Sequence, residues 1–132
     1  PSFRRHGRLH LVAVLGWVAL LLAACSDEGP VSGPGTLTAT LTGPNGAEGA
    51  AVLSLLGDGL GAVSAVGATE VYVRSGDSNL RIVLINQEGG ALSFQVAVAD
   101  TTQPPSAVIH EVAGPDDELR PTVSGYALEF AR

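Results

Sequence analysis

The feature that most limits the fold of this chain is an alternation of apolar and polar residues, broken repeatedly by Gly and Pro. In Leu92–Ala99, every second residue is large and apolar: Leu92, Phe94, Val96 and Val98. Successive side chains of a β-strand point to opposite faces, so this pattern predicts a half-buried strand. Beyond residue 30, no segment sustains the 3.6-residue period of a helix without a Gly or Pro. The chain is therefore predicted to be all-β.

Seven or eight strands are predicted between the turn signals. A spacing of roughly 8–12 residues between turns is typical of β-sandwiches and small barrels. Because no helix is available for parallel crossovers, we expect antiparallel pairing, and the predicted fold class is an antiparallel β-sandwich. The predicted segments are Thr36–Leu41, Ala50–Leu56, Leu60–Val66, Glu70–Arg74, Leu80–Ile85, Leu92–Ala99, Ala107–Val112 and Tyr126–Phe130.

Three further expectations concern the arrangement of these segments. The Gly-interrupted stretch around Leu60–Val66 leaves open a short helix at residues 57–68. Residues 87–90, with sequence QEGG, are expected to form a turn. The last strand carries Tyr126 and Phe130, so we expect it to be paired centrally in its sheet.

The first 24 residues differ in kind from the rest. Arg4, Arg5 and Arg8 form a basic cluster, and Leu11–Leu22 is apolar throughout. About 20 apolar residues are needed to span a bilayer as a helix, and this stretch is shorter. It ends in small residues, which is the pattern of a secretory signal peptide. We therefore predict a signal helix over residues 1–24.

The end of this signal carries a recognisable motif, Leu22-Ala23-Ala24-Cys25. It resembles the lipobox of bacterial lipoproteins. The resemblance implies that the Cys25 thiol receives a diacylglyceryl group and that a lipoprotein signal peptidase cleaves between Ala24 and Cys25. The chemistry suits the residue, because a thiolate is a good nucleophile and Cys25 is the single cysteine of the chain.

Two alternatives to lipidation remain open at this stage. The apolar stretch could stay as an uncleaved anchor helix, or a plain secretory peptidase could cut at Ala24. If Cys25 is lipidated, its two acyl chains attach the protein durably to a membrane, which one chain does not achieve. The localisation predicted is the cell envelope. Ser26 after the cysteine favours the outer membrane where a cell has two membranes, and Asp27 argues the other way.

Composition divides the remaining chain into a tether and a domain. Residues 25–35 combine the lipidated cysteine with Gly, Pro, Ser and acids, a linker composition. Residues 36–132 form the predicted sandwich. Removal of the signal leaves four Arg against 13 acidic residues, a formal charge of −9. Nucleic acid is therefore excluded as a predicted partner, because it requires a basic surface.

Candidates for catalysis are few. A single Cys cannot form an internal disulfide or a Cys-based zinc site. Lys is absent, no Ser lies in a G-x-S-x-G motif, and His110 is the only His outside the signal. We place His110 in a strand, on the same face as Val108 and Val112. The prediction is a non-enzyme without a cofactor, and replacement of His110 would test the enzymatic alternative.

The densest acidic cluster is Asp116, Asp117 and Glu118. A Ca²⁺ site needs about six oxygen ligands in a defined loop, and no D-x-[DN]-x-[DN]-G pattern is present. A solvated acidic turn is therefore favoured, with these three residues kept as weak metal candidates. Asp27 and Glu28 are weaker still, because a flexible segment lacks the rigidity of a cation site.

The order of strands beyond the tether resembles immunoglobulin-like and cohesin-like modules of bacterial surface proteins. The resemblance is carried by GTLTATLT, GAAVLSLLG, GGALSFQVAV and the YALEF ending. It implies a binding or display module and transfers no site residues. The predicted function is a lipid-anchored envelope module, binding or structural, with an envelope protein or polysaccharide as partner. A small-ligand or calcium-binding lipoprotein is the alternative, and an envelope enzyme is the second alternative.

Overall fold

Strands and turns make up residues 31–132, the part of the chain that the computed structural model describes. No residue of this part is helical, so the all-β prediction is confirmed and the short helix at residues 57–68 is wrong. The predicted signal helix lies outside the described residues. The strands are β1 (Gly35–Thr42), β2 (Glu48–Leu56), β3 (Val63–Ala65), β4 (Glu70–Ser75), β5 (Asn79–Gly90), β6 (Ser93–Val98), β7 (Ser106–Ala113) and β8 (Ala127–Ala131).

Two antiparallel sheets share one apolar core. The first sheet has the order β3-β6-β1-β8 and the second has the order β4-β5-β2-β7. Phe94 from the first sheet and Leu53 and Ile82 from the second are completely buried in the same cluster. Inward-facing residues of both sheets forming a common core define a sandwich. The predicted antiparallel β-sandwich is therefore confirmed.

The alternation in β1 and β6 places their side chains as predicted. Leu37 and Ala39 point into the core, and Ala39 lies directly opposite Phe94 on the neighbouring strand. A small residue beside a large one lets the two inner faces interdigitate at high packing density. Thr40 faces outward, and its hydroxyl lies 2.9 Å from the hydroxyl of Ser93. Side-chain pairs of this kind stabilise the outer face of a sheet.

Strand β5 is longer than the sequence predicts. The expected turn at residues 87–90 is wrong, because β5 continues to Gly90 and pairs there with Glu48. A register shift between Glu48 and Ala50 accommodates the extra length. Gly89 has a φ of 76°, a conformation that glycine adopts without steric cost. The two glycines therefore bend the strand where the sequence pattern predicts its end.

Strand β8 lies at an edge of the first sheet, paired only with β1. The prediction of a central position is therefore wrong. Tyr126, Leu128 and Phe130 do share one half-buried face, as the alternation predicts. Alternation reports how one face of a strand packs but carries no information about how many strands pair with it.

A bulge in β7 changes which residues share a face. Val52 lies opposite Glu111, whereas the next residue, Leu53, lies opposite Ile109. The extra residue in β7 is His110, which faces outward together with Val108, while Val112 is buried. The expected common face of His110 and Val112 is wrong because one inserted residue reverses the alternation beyond it.

The start of the sandwich is held by Asp100. Its Oδ1 accepts hydrogen bonds from the Thr102 hydroxyl (2.6 Å), the Thr102 amide (2.9 Å) and the Gly33 amide (3.3 Å). The Gly33 carbonyl in turn accepts a hydrogen bond from the Thr101 amide. Hydrogen bonds to Thr102, and then to Gly33, lower the pKa of the Asp100 carboxyl.

This geometry predicts an acid-sensitive contribution to stability. Because the folded-state pKa of Asp100 lies below the ordinary value of 3.8, its contribution is complete above that value. It is lost as the pH falls through the lower folded-state pKa. We expect Asp100→Ala to lower Tm modestly at neutral pH, with the difference from wild type shrinking as the pH falls below 3.8. Thermal melts across this pH range, with Asp77→Ala as the matched loop control, measure the effect. A constant difference at every pH would contradict it.

Candidate functional site

The outer face of the second sheet carries the most distinctive surface of the described domain. Across strands β4, β5 and β2, the register aligns one transverse row of Tyr72, Val83 and Val52, here called the apolar row, and Glu111 of β7 lies at its end. Tyr72 is 57% exposed. Aromatic side chains are enriched where proteins bind ligands, because they offer a large contact area with little conformational freedom to lose.

The neighbouring row on the same face is basic and polar. Arg74 lies directly opposite Arg81, and Arg81 lies opposite Ser54. The register places the exposed Val108 of β7 opposite Ser54, and the Ser54 hydroxyl lies 2.8 Å from Nε2 of His110, two residues further along β7. These four residues, Arg74, Arg81, Ser54 and His110, are called the basic row below. Together the two rows join exposed apolar surface to hydrogen-bond donors.

The two arginines of the basic row stand out electrostatically. Residues 31–132 contain four Arg and 11 acidic residues, yet two of those arginines are adjacent. Like charges directly opposite each other destabilise a sheet. Neither Arg74 nor Arg81 has an ion-pair partner in the described part of the chain, where the salt bridge present joins Arg120 to Glu48. An anion placed between the two guanidinium groups would remove this repulsion.

A second polar cluster is buried at one end of the sandwich. Glu48 at the start of β2 is only 3% exposed. Arg120 donates to its Oε1 from Nε (3.1 Å) and from Nη2 (2.6 Å), and the Tyr126 hydroxyl donates to its Oε2. Asn45 Nδ2 donates to the Tyr126 oxygen at 2.8 Å. Both carboxylate oxygens of Glu48 thus have donors, and Glu48, Arg120 and Tyr126 are called the carboxylate cluster below.

Local backbone structure positions the members of the carboxylate cluster. The Arg120 amide donates to the Val112 carbonyl at 2.7 Å, which folds the chain back along the end of β7. Gly43 lies against the Tyr126 ring, and a Cβ at that position would overlap the ring. The cluster therefore fastens the long segment between β7 and β8 onto the start of β2.

Proton affinities in the carboxylate cluster follow from its contacts. The hydrogen bonds that Arg120 donates to Glu48 raise the pKa of the Arg120 guanidinium. Burial, and then the hydrogen bond to Glu48, raise the pKa of the Tyr126 phenol. Arg120 and Tyr126 therefore remain protonated donors at any physiological pH. The arrangement is suited to holding a fold together, because its donors already serve the carboxylate.

Open cavities lie elsewhere on the described domain, and two of them bear on the binding of a small ligand. One, of about 450 Å³, lies where β7 and β8 face each other, and Tyr126 is the residue of its lining that brings a polar side-chain group. The other, of about 300 Å³, lies at the strand ends near Asp58 and Asp100. Small-ligand sites combine an apolar pocket with a few convergent polar groups, and the first cavity brings few such groups together.

The sequence-predicted metal candidates lie in an exposed turn. Asp116 Oδ1 accepts a hydrogen bond from the Glu118 amide at 3.3 Å, and the Glu118 carbonyl accepts one from the Gly114 amide. Asp117 adopts a φ of 63°, which Asp tolerates better than most residues. Within residues 31–132, no group of three or more His, Cys, Asp or Glu side chains is arranged to hold a metal ion. Asp116, Asp117 and Glu118 are thus not brought around a common point.

Other predicted residues are placed as follows. His110 lies on the basic row, hydrogen-bonded to Ser54, and no described carboxylate pairs with it as in a catalytic triad. The predicted lipidation at Cys25, the cleavage after Ala24 and the weak metal candidates Asp27 and Glu28 lie outside the described residues.

Comparison of the chain with protein-family models, curated proteins and solved structures finds no match. The described residues contain no helix of the length and apolarity needed to cross a membrane.

Neither the carboxylate cluster nor the basic row was predicted from the sequence. Glu48 is 72 residues from Arg120 and 78 residues from Tyr126 in the sequence, so no local pattern links the carboxylate to its two donors. The sequence does contain a pattern that predicts part of the basic row. If Glu70–Arg74 and Leu80–Ile85 form a hairpin, their outward residues include Arg74 and Arg81, so an opposed pair could have been anticipated.

Proposed function

We propose that this protein is a lipid-anchored binding module of the cell envelope, without catalytic activity, and that it contacts its partner through the outer face of the second sheet. The observation that carries the proposal is the pairing of the apolar row with the basic row on that face. An exposed tyrosine and two arginines without ion-pair partners are the residue types enriched at binding surfaces.

The anchoring part of the proposal depends on the lipobox resemblance of residues 22–25. With two acyl chains at Cys25 and a short tether, a domain of this kind is retained at the membrane surface. The acidic charge of the domain fits this arrangement, because it limits adhesion to anionic headgroups. Retention near the membrane also raises the effective concentration of the domain toward other envelope components.

The contacts within the carboxylate cluster support a structural role, rather than a catalytic one, for Glu48, Arg120 and Tyr126. Its three side chains satisfy one another, and in residues 31–132 no buried side-chain polar atom lacks a partner. A catalytic group ordinarily has its pKa tuned by its surroundings and a free approach for substrate. Arg120 and Tyr126 are instead committed to Glu48.

Photo-crosslinking in intact cells tests the binding face. Because the chain contains no Lys, amine-directed reagents are unsuitable, and a genetically introduced photoreactive residue is the appropriate probe. We expect the probe at Tyr72 to give an adduct, which would be a single band for a protein partner and a broad smear for a polysaccharide. The probe at Gln95, exposed on the outer face of the first sheet, is the control and should give none. Equal adducts at both positions, or an adduct only at Gln95, would refute the assignment of this face.

A further inference from the structure

We propose that the outer face of the second sheet binds an acidic polysaccharide, with Arg74 and Arg81 together holding a sugar carboxylate. This inference rests on the proposed function, because it names the ligand class of the same face. It follows from three features of the surface: the opposed arginines, the tyrosine beside them and the charge of the rest of the domain.

The arginine pair supplies a carboxylate site. Arg74 and Arg81 occupy directly opposed positions of an antiparallel pair, where Cβ atoms lie about 5 Å apart. Each guanidinium presents a planar fork of donors that matches the two oxygens of a carboxylate. Both side chains are exposed and have no ion-pair partner in residues 31–132. A single carboxylate can therefore reach both groups and remove their mutual repulsion.

Tyr72 extends this site in a way that suits a sugar. It precedes Arg74 by two residues on β4, so the two side chains emerge on the same face. An aromatic ring offers an apolar platform to the C–H face of a pyranose. The Tyr72 hydroxyl donates a long hydrogen bond to Glu70 Oε2, at 3.5 Å, which leaves the face of the ring open. The pair Ser54 and His110, further along the basic row, offers a hydroxyl and an imidazole for sugar hydroxyls. The face thus matches the mixed polar and apolar character of a carbohydrate chain.

The form of the face favours a polysaccharide over a protein. Protein partners usually bury anchor side chains in well-packed pockets. The cavities of about 450 Å³ and 300 Å³ lie at the β7–β8 opening and at the strand ends. Smaller ones, of about 210 Å³ and 170 Å³, lie beside Glu70 and in the turn after Arg74, and none of these four is lined by a residue of either row. A sheet surface that runs across four strands instead suits an extended chain lying flat.

The charge of the domain limits how acidic the polymer can be. Eleven acidic residues surround four arginines in residues 31–132, and Glu70 and Glu111 flank the two rows. A densely charged polyanion would be repelled over its length, although screening confines each repulsion to about 8 Å at physiological salt. We therefore assign a polymer in which carboxylated sugars alternate with neutral ones.

Binding of the purified full-length protein in detergent to immobilised hyaluronan tests the proposal. Hyaluronan is the probe because its carboxylated and neutral sugars alternate. We expect saturable binding that weakens at high salt, with no binding to neutral dextran. Arg74→Gln and Arg81→Gln should each weaken binding by about tenfold, because each removes charge-assisted hydrogen bonds. Arg132→Gln, the same change at an exposed arginine that follows β8 of the first sheet, should leave binding unaltered.

The outcomes separate this inference from the proposed function. Binding that is insensitive to Arg74→Gln and Arg81→Gln, or equally weakened by Arg132→Gln, would overturn it. Binding to poly-glutamate without binding to hyaluronan would overturn the polysaccharide in favour of an acidic peptide. Absence of hyaluronan binding together with a discrete Tyr72 adduct would refute the ligand class and leave the binding face intact. Absence of both would refute the two together.

Discussion

Replacement of Cys25 by Ala should abolish fatty-acid labelling of the protein completely. The lipobox resemblance implies that the thiol is the only atom to which the diacylglyceryl group can be attached, and the chain has no second cysteine. Because lipidation precedes cleavage in this class of signal, the variant should also accumulate as the unprocessed precursor. Metabolic labelling with an alkyne fatty acid and the electrophoretic size of the product measure both effects.

The matched control for this experiment is Ser26→Ala, which alters the next residue and leaves the thiol in place. It should be labelled and processed like the wild type. A wild-type product that is cleaved but carries no label would show a plain secretory signal cut at Ala24. A labelled or normally processed Cys25→Ala protein would refute the lipobox assignment.

Loss of Arg120 should destabilise the domain more than loss of its partner Glu48. Glu48 is 3% exposed, whereas the Arg120 side chain is 27% exposed and can reach water. Arg120→Met therefore leaves a buried carboxylate without its cation, which we expect to lower the free energy of unfolding by about 3 kcal/mol. That value is the low end for a buried pair, because Tyr126 still donates to the carboxylate and the site borders solvent.

The converse change should cost less. Glu48→Gln removes the charge but keeps an oxygen that accepts a hydrogen bond, and the freed guanidinium is hydrated where it is exposed. The double variant Glu48→Gln with Arg120→Met should be more stable than Arg120→Met alone, since the uncompensated charge is gone. Denaturant unfolding of the full-length variants measures this, with Arg132→Met as the control. An equal or larger loss in Glu48→Gln would contradict the asymmetry.

The sequence predicts the parts of this fold that depend on local alternation. Leu92, Phe94 and Val96 recur at every second residue of one segment, which predicts a buried face, and all three are buried. The fold class follows from the same pattern, since a chain of short alternating strands must stack two faces to bury them.

The features that were missed depend on residues far apart in the sequence. The bulge at His110 exists only relative to the pairing of β7 with β2, and no local signal marks it. Strand β5 runs through Gln87–Gly90 because Glu48 pairs with Gly90, although the composition of that segment is typical of a turn. The edge position of β8 is a property of sheet order, which alternation does not encode.

The candidate site was predictable only in part. Of the residues chosen by type, the fold brings His110 into the candidate site, where it contacts Ser54. It leaves Asp116, Asp117 and Glu118 in an exposed turn outside that site. Arg74 and Arg81 become notable when the β4–β5 register places them opposite each other. The two arginines lie close together and have no ion-pair partner among the described residues. Amino-acid composition shows neither the distance nor the missing partner.

The central claim is that the outer face of the second sheet is covered by a partner in the cell envelope. Comparing the accessibility of the two outer faces in intact envelopes tests it most directly. Because the native Cys25 is predicted to be lipidated, a cysteine introduced at one surface position can be labelled selectively with a maleimide. Tyr72→Cys and Gln95→Cys place that thiol on the second and first sheets, at positions exposed in the isolated domain. We expect both to react equally in the purified protein and Tyr72→Cys to react several times more slowly in the envelope. Equal rates of labelling of Tyr72→Cys and Gln95→Cys in the envelope would contradict the assignment of the second sheet as the binding face.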